Sequence, residues 1–101
     1  MNLLSFYISE KQHHGGIPLY EWILEQAKGM HVNGGSAFRA IAGFGRHGKI
    51  HEDTFFELAG ELAVKVEFIL DDKLAMELLD KVQEQNLNVF YTKQSVQSGV
   101  V

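Results

Sequence analysis

The segment Ala63–Leu70 (AVKVEFIL) constrains the fold more than any other stretch of the chain. Val64, Val66, Phe68 and Leu70 occupy alternate positions, with Lys65 and Glu67 between them. Side chains of a strand point alternately to the two sides of a sheet, so this pattern predicts a strand buried on one side only. Such a strand needs apolar elements to cover it. Leu19, Ile23, Ala27 and Met30 recur at spacings of three and four, and Leu74, Leu78 and Val82 repeat within residues 72–86. Both sets form apolar stripes on helices. Pro18 suits the first turn of the earlier helix, where its missing N–H has no intrahelical partner, so a start near residue 18 is predicted. In the later helix Glu77 stands four residues before Lys81, which predicts an ion pair along its exposed side.

Three further strands complete the pattern. Residues 2–9 place Leu4, Phe6 and Ile8 on one side, and Leu87 to Ser95 supplies the last strand. After the turn Asn33-Gly34-Gly35, residues 36–43 (SAFRAIAG) alternate Phe38, Ala40 and Ala42 against Ala37, Arg39 and Ile41. HHGG at 13–16 reads as a flexible break, and Thr54 with Glu57 as the capping box of a short helix. The order strand, helix, strand, strand, helix, strand is the split βαβ pattern of an α+β, ferredoxin-like fold: a four-stranded antiparallel sheet with two helices on one face. A length of 101 residues leaves room for one core, so residues 1–101 are expected to form a single domain. The uncovered face is assigned Ala37, Ile41, Ala63 and Ile69 together with Arg39, Lys65 and Glu67. A face that mixes apolar residues with opposite charges is suited to burial by self-association, so a homo-oligomer is predicted.

Composition removes several functional classes. There is no cysteine, which excludes disulfides, thiolate metal sites and thiol nucleophiles and makes the cytoplasm the expected compartment. No apolar run approaches the roughly 20 residues that cross a bilayer, and the N-terminal segment lacks a basic region and a cleavage site, so neither membrane insertion nor a signal peptide is expected. A net charge of −4 disfavours nucleic acid as a partner. The serines have no nucleophile elbow around them, and Lys65 with Glu67 fits an ion pair better than an acid–base couple, so the chain is not expected to be an enzyme.

The chemistry concentrates in Gly43 to His51 (GFGRHGKIH), directly after a strand. Gly43 and Gly45 allow backbone N–H groups close to an anion. Arg46 offers a bidentate fork and Lys49 a point charge for phosphate oxygens. The same stretch also reads as a solvated hairpin loop, and its spacing matches neither a Walker loop nor a dinucleotide fingerprint. His47 and His51, four apart, and the adjacent pair His13 and His14 raise a divalent-metal alternative, although zinc needs three or four converging ligands.

AGFGRHGKIHE followed by VKVEFIL resembles the P-II signalling family, in which a GFGRQ-type sequence opens a long loop and a VKIEIVV-type strand follows it. PLYEWI after a glycine-rich turn, then RAIAGFG and the later IH, is more similar still to the P-II-like family designated domain of unknown function 190, over residues 3 to about 95. The resemblance implies a homotrimer with sheets packed inward and clefts between subunits that hold an adenine nucleotide or another small anionic ligand. It implies a non-enzymatic regulatory role, with residues 44–62 as a mobile loop contacting a partner protein. By position Gly45, Arg46 and His47 match the phosphate-contacting start of that loop, Lys65 and Glu67 match the charged pair on the next strand, and Arg39 and His51 fall in register. Two features depart from the P-II pattern: EQNLNVFYTK replaces the glycine-rich, lysine-bearing loop before the last strand, and Ala63 stands where a lysine helps bind 2-oxoglutarate. A trimeric metal-binding or metal-tolerance module is the alternative that small trimeric folds of this type imply, and no cofactor is assigned beyond the anionic ligand.

Overall fold

The computed structural model describes residues 1–44 and 63–101. Eight elements follow in order: β1 (Asn2–Ser9), β2 (His13–His14), β3 (Ile17–Pro18), α1 (Leu19–Gly29), β4 (Gly35–Arg39), β5 (Ala63–Leu70), α2 (Asp72–Gln83) and β6 (Phe90–Ser95). The main sheet has the order β4-β5-β1-β6 and every pairing in it is antiparallel. This is the ferredoxin-like α+β arrangement expected from the sequence.

The core lies between one face of the sheet and the two helices. Leu4, Phe6 and Ile8 of β1 meet Val64, Val66, Phe68 and Leu70 of β5, and Leu19, Ile23 and Ala27 of α1 cover them together with Ala75, Leu78 and Val82 of α2. Ala75 is fully buried, as is Leu78, and Leu74 packs at the margin of the core. The Phe6 and Phe68 rings meet edge to face, 6.4 Å between centroids at 74°.

Helix termini show how local chemistry sets the boundaries. α2 starts at Asp71, whose carboxylate accepts the N–H of Leu74 at 2.8 Å, as an N-cap should. α1 follows Pro18 in extended backbone and ends in a reversed turn: His31 adopts a left-handed conformation (φ 67°), its N–H donates to the Lys28 carbonyl, and the Val32 N–H donates to that of Ala27. This is the Schellman arrangement with histidine where glycine is usual. The expected Glu77–Lys81 pair is not among the ion pairs of the described residues, which are Arg39–Glu10 and Lys65–Glu67.

Two expectations need correction. HHGG forms a hairpin, with His13 paired to Pro18, His14 to Ile17, and Gly15 and Gly16 both at positive φ (63° and 86°) in the two-residue turn. The second major strand also differs: it stops at Arg39, with a last ladder bond from the Ala40 N–H to the Ala63 carbonyl at 2.9 Å, and Ile41 beyond it is 96% exposed. Its parity is opposite to that expected. Ala37 pairs with Val66 and Arg39 with Val64, so both belong to the helix side, whereas Ser36 and Phe38 pair with Glu67 and Lys65 on the open side. Gly35 lies opposite Phe68, and any Cβ there would collide with the Phe68 ring, which excludes the one-residue slip that would bring Ser36 to this place.

Candidate functional site

The open sheet face carries one continuous row from edge to edge: Phe38 on β4, Lys65 on β5, Tyr7 on β1 and Phe90 on β6. Lys65 Nζ stands 5.4 Å from the centre of the Phe38 ring, and the Tyr7 and Phe90 rings are 5.7 Å apart. The next row is polar, with Ser36, Glu67, Ser5 and Thr92. Lys65 Nζ and Glu67 Oε1 are joined across the rows at 3.2 Å. Ile69 and Leu3 complete the surface. Phe38, Phe90 and Ile69 remain 40–50% exposed, a large aromatic and aliphatic area to leave against water.

A second arrangement lies at the end of the sheet where Arg39, Ala40 and Ala63 meet the turn after β1. That turn is tightly bonded: Gln12 N–H donates to the Ser9 carbonyl (3.1 Å), Ser9 N–H to Gln12 Oε1 (2.9 Å) and Lys11 N–H to Ser9 Oγ (3.1 Å). It presents Glu10, whose Oε1 lies 2.7 Å from Arg39 Nε. Arg39 therefore points to the helix side of the sheet, and Lys65 with Glu67 to the open side. The structure does not bring these three expected site residues to one face. Gly43 lies beyond the end of β4 and is exposed, while Gly45, Arg46, His47, Lys49 and His51 lie outside the described residues, as does the expected helix at 54–62.

Other parts of the surface separate candidate chemistries. His13 Nδ1 is 2.8 Å from the Lys11 carbonyl. His14 Nε2 is 3.0 Å from Gln85 Oε1, and the His14 ring meets Trp22 at 4.8 Å, so these two histidines serve separate local contacts. Among the described residues no three His, Asp or Glu gather as a metal-ligating group. A cleft of about 500 Å³ runs between α2 and β6, lined by Met76, Leu79, Gln83, Asn86 and Tyr91 among others. At the opposite end of the sheet from Glu10, Asn2 Nδ2 donates to Asp72 Oδ1 at 2.7 Å. That hydrogen bond, with Lys93 and the N-terminal ammonium, holds the Asp72 carboxyl below the usual carboxylate range. No helix among the described residues is long and apolar enough to cross a membrane.

Sequence reasoning missed Glu10, Tyr7, Phe38 and Phe90.

Comparison with known proteins agrees with this architecture. The profile of the DUF190 family, described as "Uncharacterized ACR", matches residues 1–98. A UPF0166 protein from Aquifex aeolicus (strain VF5) is 35% identical over 81 residues, covering 80% of this chain and 77% of that protein. The crystal structure of a protein from Thermus thermophilus taken to be PII-like and signaling superposes with a TM-score of 0.61 at 18% identity, over 92% of this chain and 83% of the other. The fold is thus shared with a PII-like protein, and the chain belongs to the DUF190 family.

Proposed function

We propose that the protein is a non-enzymatic, P-II-like regulatory protein of the cytoplasm: a homotrimer that binds a nucleotide or another small anionic ligand at the clefts between subunits. Residues 44–62 relay the bound state to a partner protein. The observation that carries this reading is the open sheet face. A row of Phe38, Tyr7 and Phe90 with the Lys65–Glu67 pair in its middle offers apolar area and both signs of charge, which suits contact with further copies of the same chain. Lys65 and Glu67 act at this subunit-facing surface. Arg39, Gly43, Gly45, Arg46, His47, Lys49 and His51 supply cations and close-approach backbone before and within the first part of the 44–62 segment, the chemistry that phosphate oxygens require. The likeness to a PII-like signaling protein supports the fold half of the argument.

The test is a thermal-shift screen of the purified chain against nucleotides, phosphate metabolites and divalent metals, since a ligand of the native state raises the melting temperature by mass action. A saturable shift with one nucleotide or anion, lost in Arg46→Ala and Lys49→Ala, is the expected result. A shift with metals alone, removed by His47→Ala and His51→Ala, would replace this reading with the metal module.

A further inference from the structure

Glu10 lies in a turn that the functional reading leaves unused, yet its carboxylate sits on a cation which that reading assigns to the ligand. We propose that Glu10 is an internal competitor for the anion that Arg39 receives, and that it sets how highly charged a ligand must be to bind. This rests on the reading of Arg39 as an anion contact.

Three features support it. First, the turn of residues 9–12 is held by three hydrogen bonds, so Glu10 is presented from a fixed frame. Second, the Glu10 side chain is 24% exposed and that of Arg39 is 67% exposed, so the carboxylate is the sheltered member and the guanidinium reaches to it from the edge strand. Third, an exposed pair of this kind contributes little to folding. Its larger effect is on anything charged that approaches Arg39.

A carboxylate within the same chain has a high effective concentration at its partner. A free ligand with a single negative charge gains no more from Arg39 than Glu10 already does, and it loses translational freedom on binding. A polyanion brings more charge and more acceptor oxygens to the guanidinium, so it displaces Glu10 where a simple carboxylate does not. The negative charge at residue 10 therefore weakens binding through its hold on Arg39, and Glu10→Gln removes that charge while keeping the side chain's shape.

The experiment is calorimetric titration of the full chain with inorganic pyrophosphate and, separately, acetate, comparing wild type with Glu10→Gln, Arg39→Gln and the double variant. Circular dichroism confirms the fold of each. Glu10→Gln is expected to tighten pyrophosphate by about 1.5- to fivefold, the range of an exposed charge interaction. Arg39→Gln should weaken it, and the double variant should match Arg39→Gln. Unchanged or weaker binding in Glu10→Gln, with Arg39→Gln still impaired, would overturn the competitor role and leave the anion site standing. Pyrophosphate binding that ignores both substitutions would remove Arg39 from the site and the competitor role with it. No binding by either wild type or Glu10→Gln would count against both the competitor and the phosphate-ligand reading.

Discussion

Replacing Gly35 with alanine tests the close approach of β4 to Phe68. A Cβ at residue 35 would be 2.5 Å from Cδ1 of Phe68, nearer still to Cε1, and 3.2 Å from Cδ2 of Leu24. Phe68 is 2% exposed and its ring meets that of Phe6 edge to face, so moving it away from residue 35 disturbs a buried aromatic contact. Forcing extra volume into a packed core costs about 1–3 kcal/mol. The direct overlap with a buried aromatic ring puts this site at the upper end, ~2–3 kcal/mol. Alanine restricts the unfolded chain more than glycine does, which returns ~0.4–1 kcal/mol. The net loss should be about 1–2.5 kcal/mol, read by urea unfolding at fixed protein concentration. For a chain of this length that lowers the melting temperature by roughly 5–15 °C. A second substitution, Phe68→Leu, makes room, so the pair should be less destabilising than the sum of its parts. A Gly35→Ala variant within about 0.5 kcal/mol of wild type, or strict additivity with Phe68→Leu, would refute the steric need for glycine opposite Phe68.

Other predictions concern the termini of elements. Asp71→Ala removes the N-cap of α2 and should cost ~1 kcal/mol in urea unfolding. His31→Gly relieves a left-handed backbone at the end of α1 and should raise stability by roughly 0.5–1 kcal/mol, seen as a higher melting temperature. The hydrogen bond from Asn2, with Lys93 and the N-terminus, lowers the folded-state pKa of Asp72. Its stabilising contribution is therefore present above the ordinary carboxylate pKa and is lost as pH falls through the lowered one. Asn2→Ala should flatten that acid dependence, measured by urea unfolding from about pH 6 down to about pH 2.

What could be read from the chain divides by the range of the interaction. The Ala63–Leu70 strand and the α1 stripe were legible because burial on one face imposes a period that the residues themselves display. The β4 parity was not, since Ala37, Arg39 and Ile41 alternate as plausibly as Phe38 and Ala40, and either Gly34 or Gly35 could take the place opposite Phe68, where a side chain does not fit. The hairpin at 13–18 has two residues per strand, too few to show alternation, and only its paired glycines mark it. Within the candidate site, the cations and glycines of residues 43–51 stand out by type. The contact of Arg39 with Glu10 depends on the sheet order, which places the end of β4 beside the turn after β1. The row of Phe38, Lys65, Tyr7 and Phe90 draws on all four strands and becomes visible only once the register is known.

The most direct test of the account is the solution mass of the chain by light scattering, for wild type and for Phe38→Asp. Phe38 is half exposed and outside the helix-covered core, so the substitution leaves the fold intact and replaces an apolar ring of the open face by a hydrated carboxylate opposite Lys65. The account predicts three times the chain mass for wild type and a single-chain mass for Phe38→Asp at micromolar concentration. A monomeric wild type, or a trimer that Phe38→Asp does not disturb, would contradict the assignment of the open sheet face as the subunit interface.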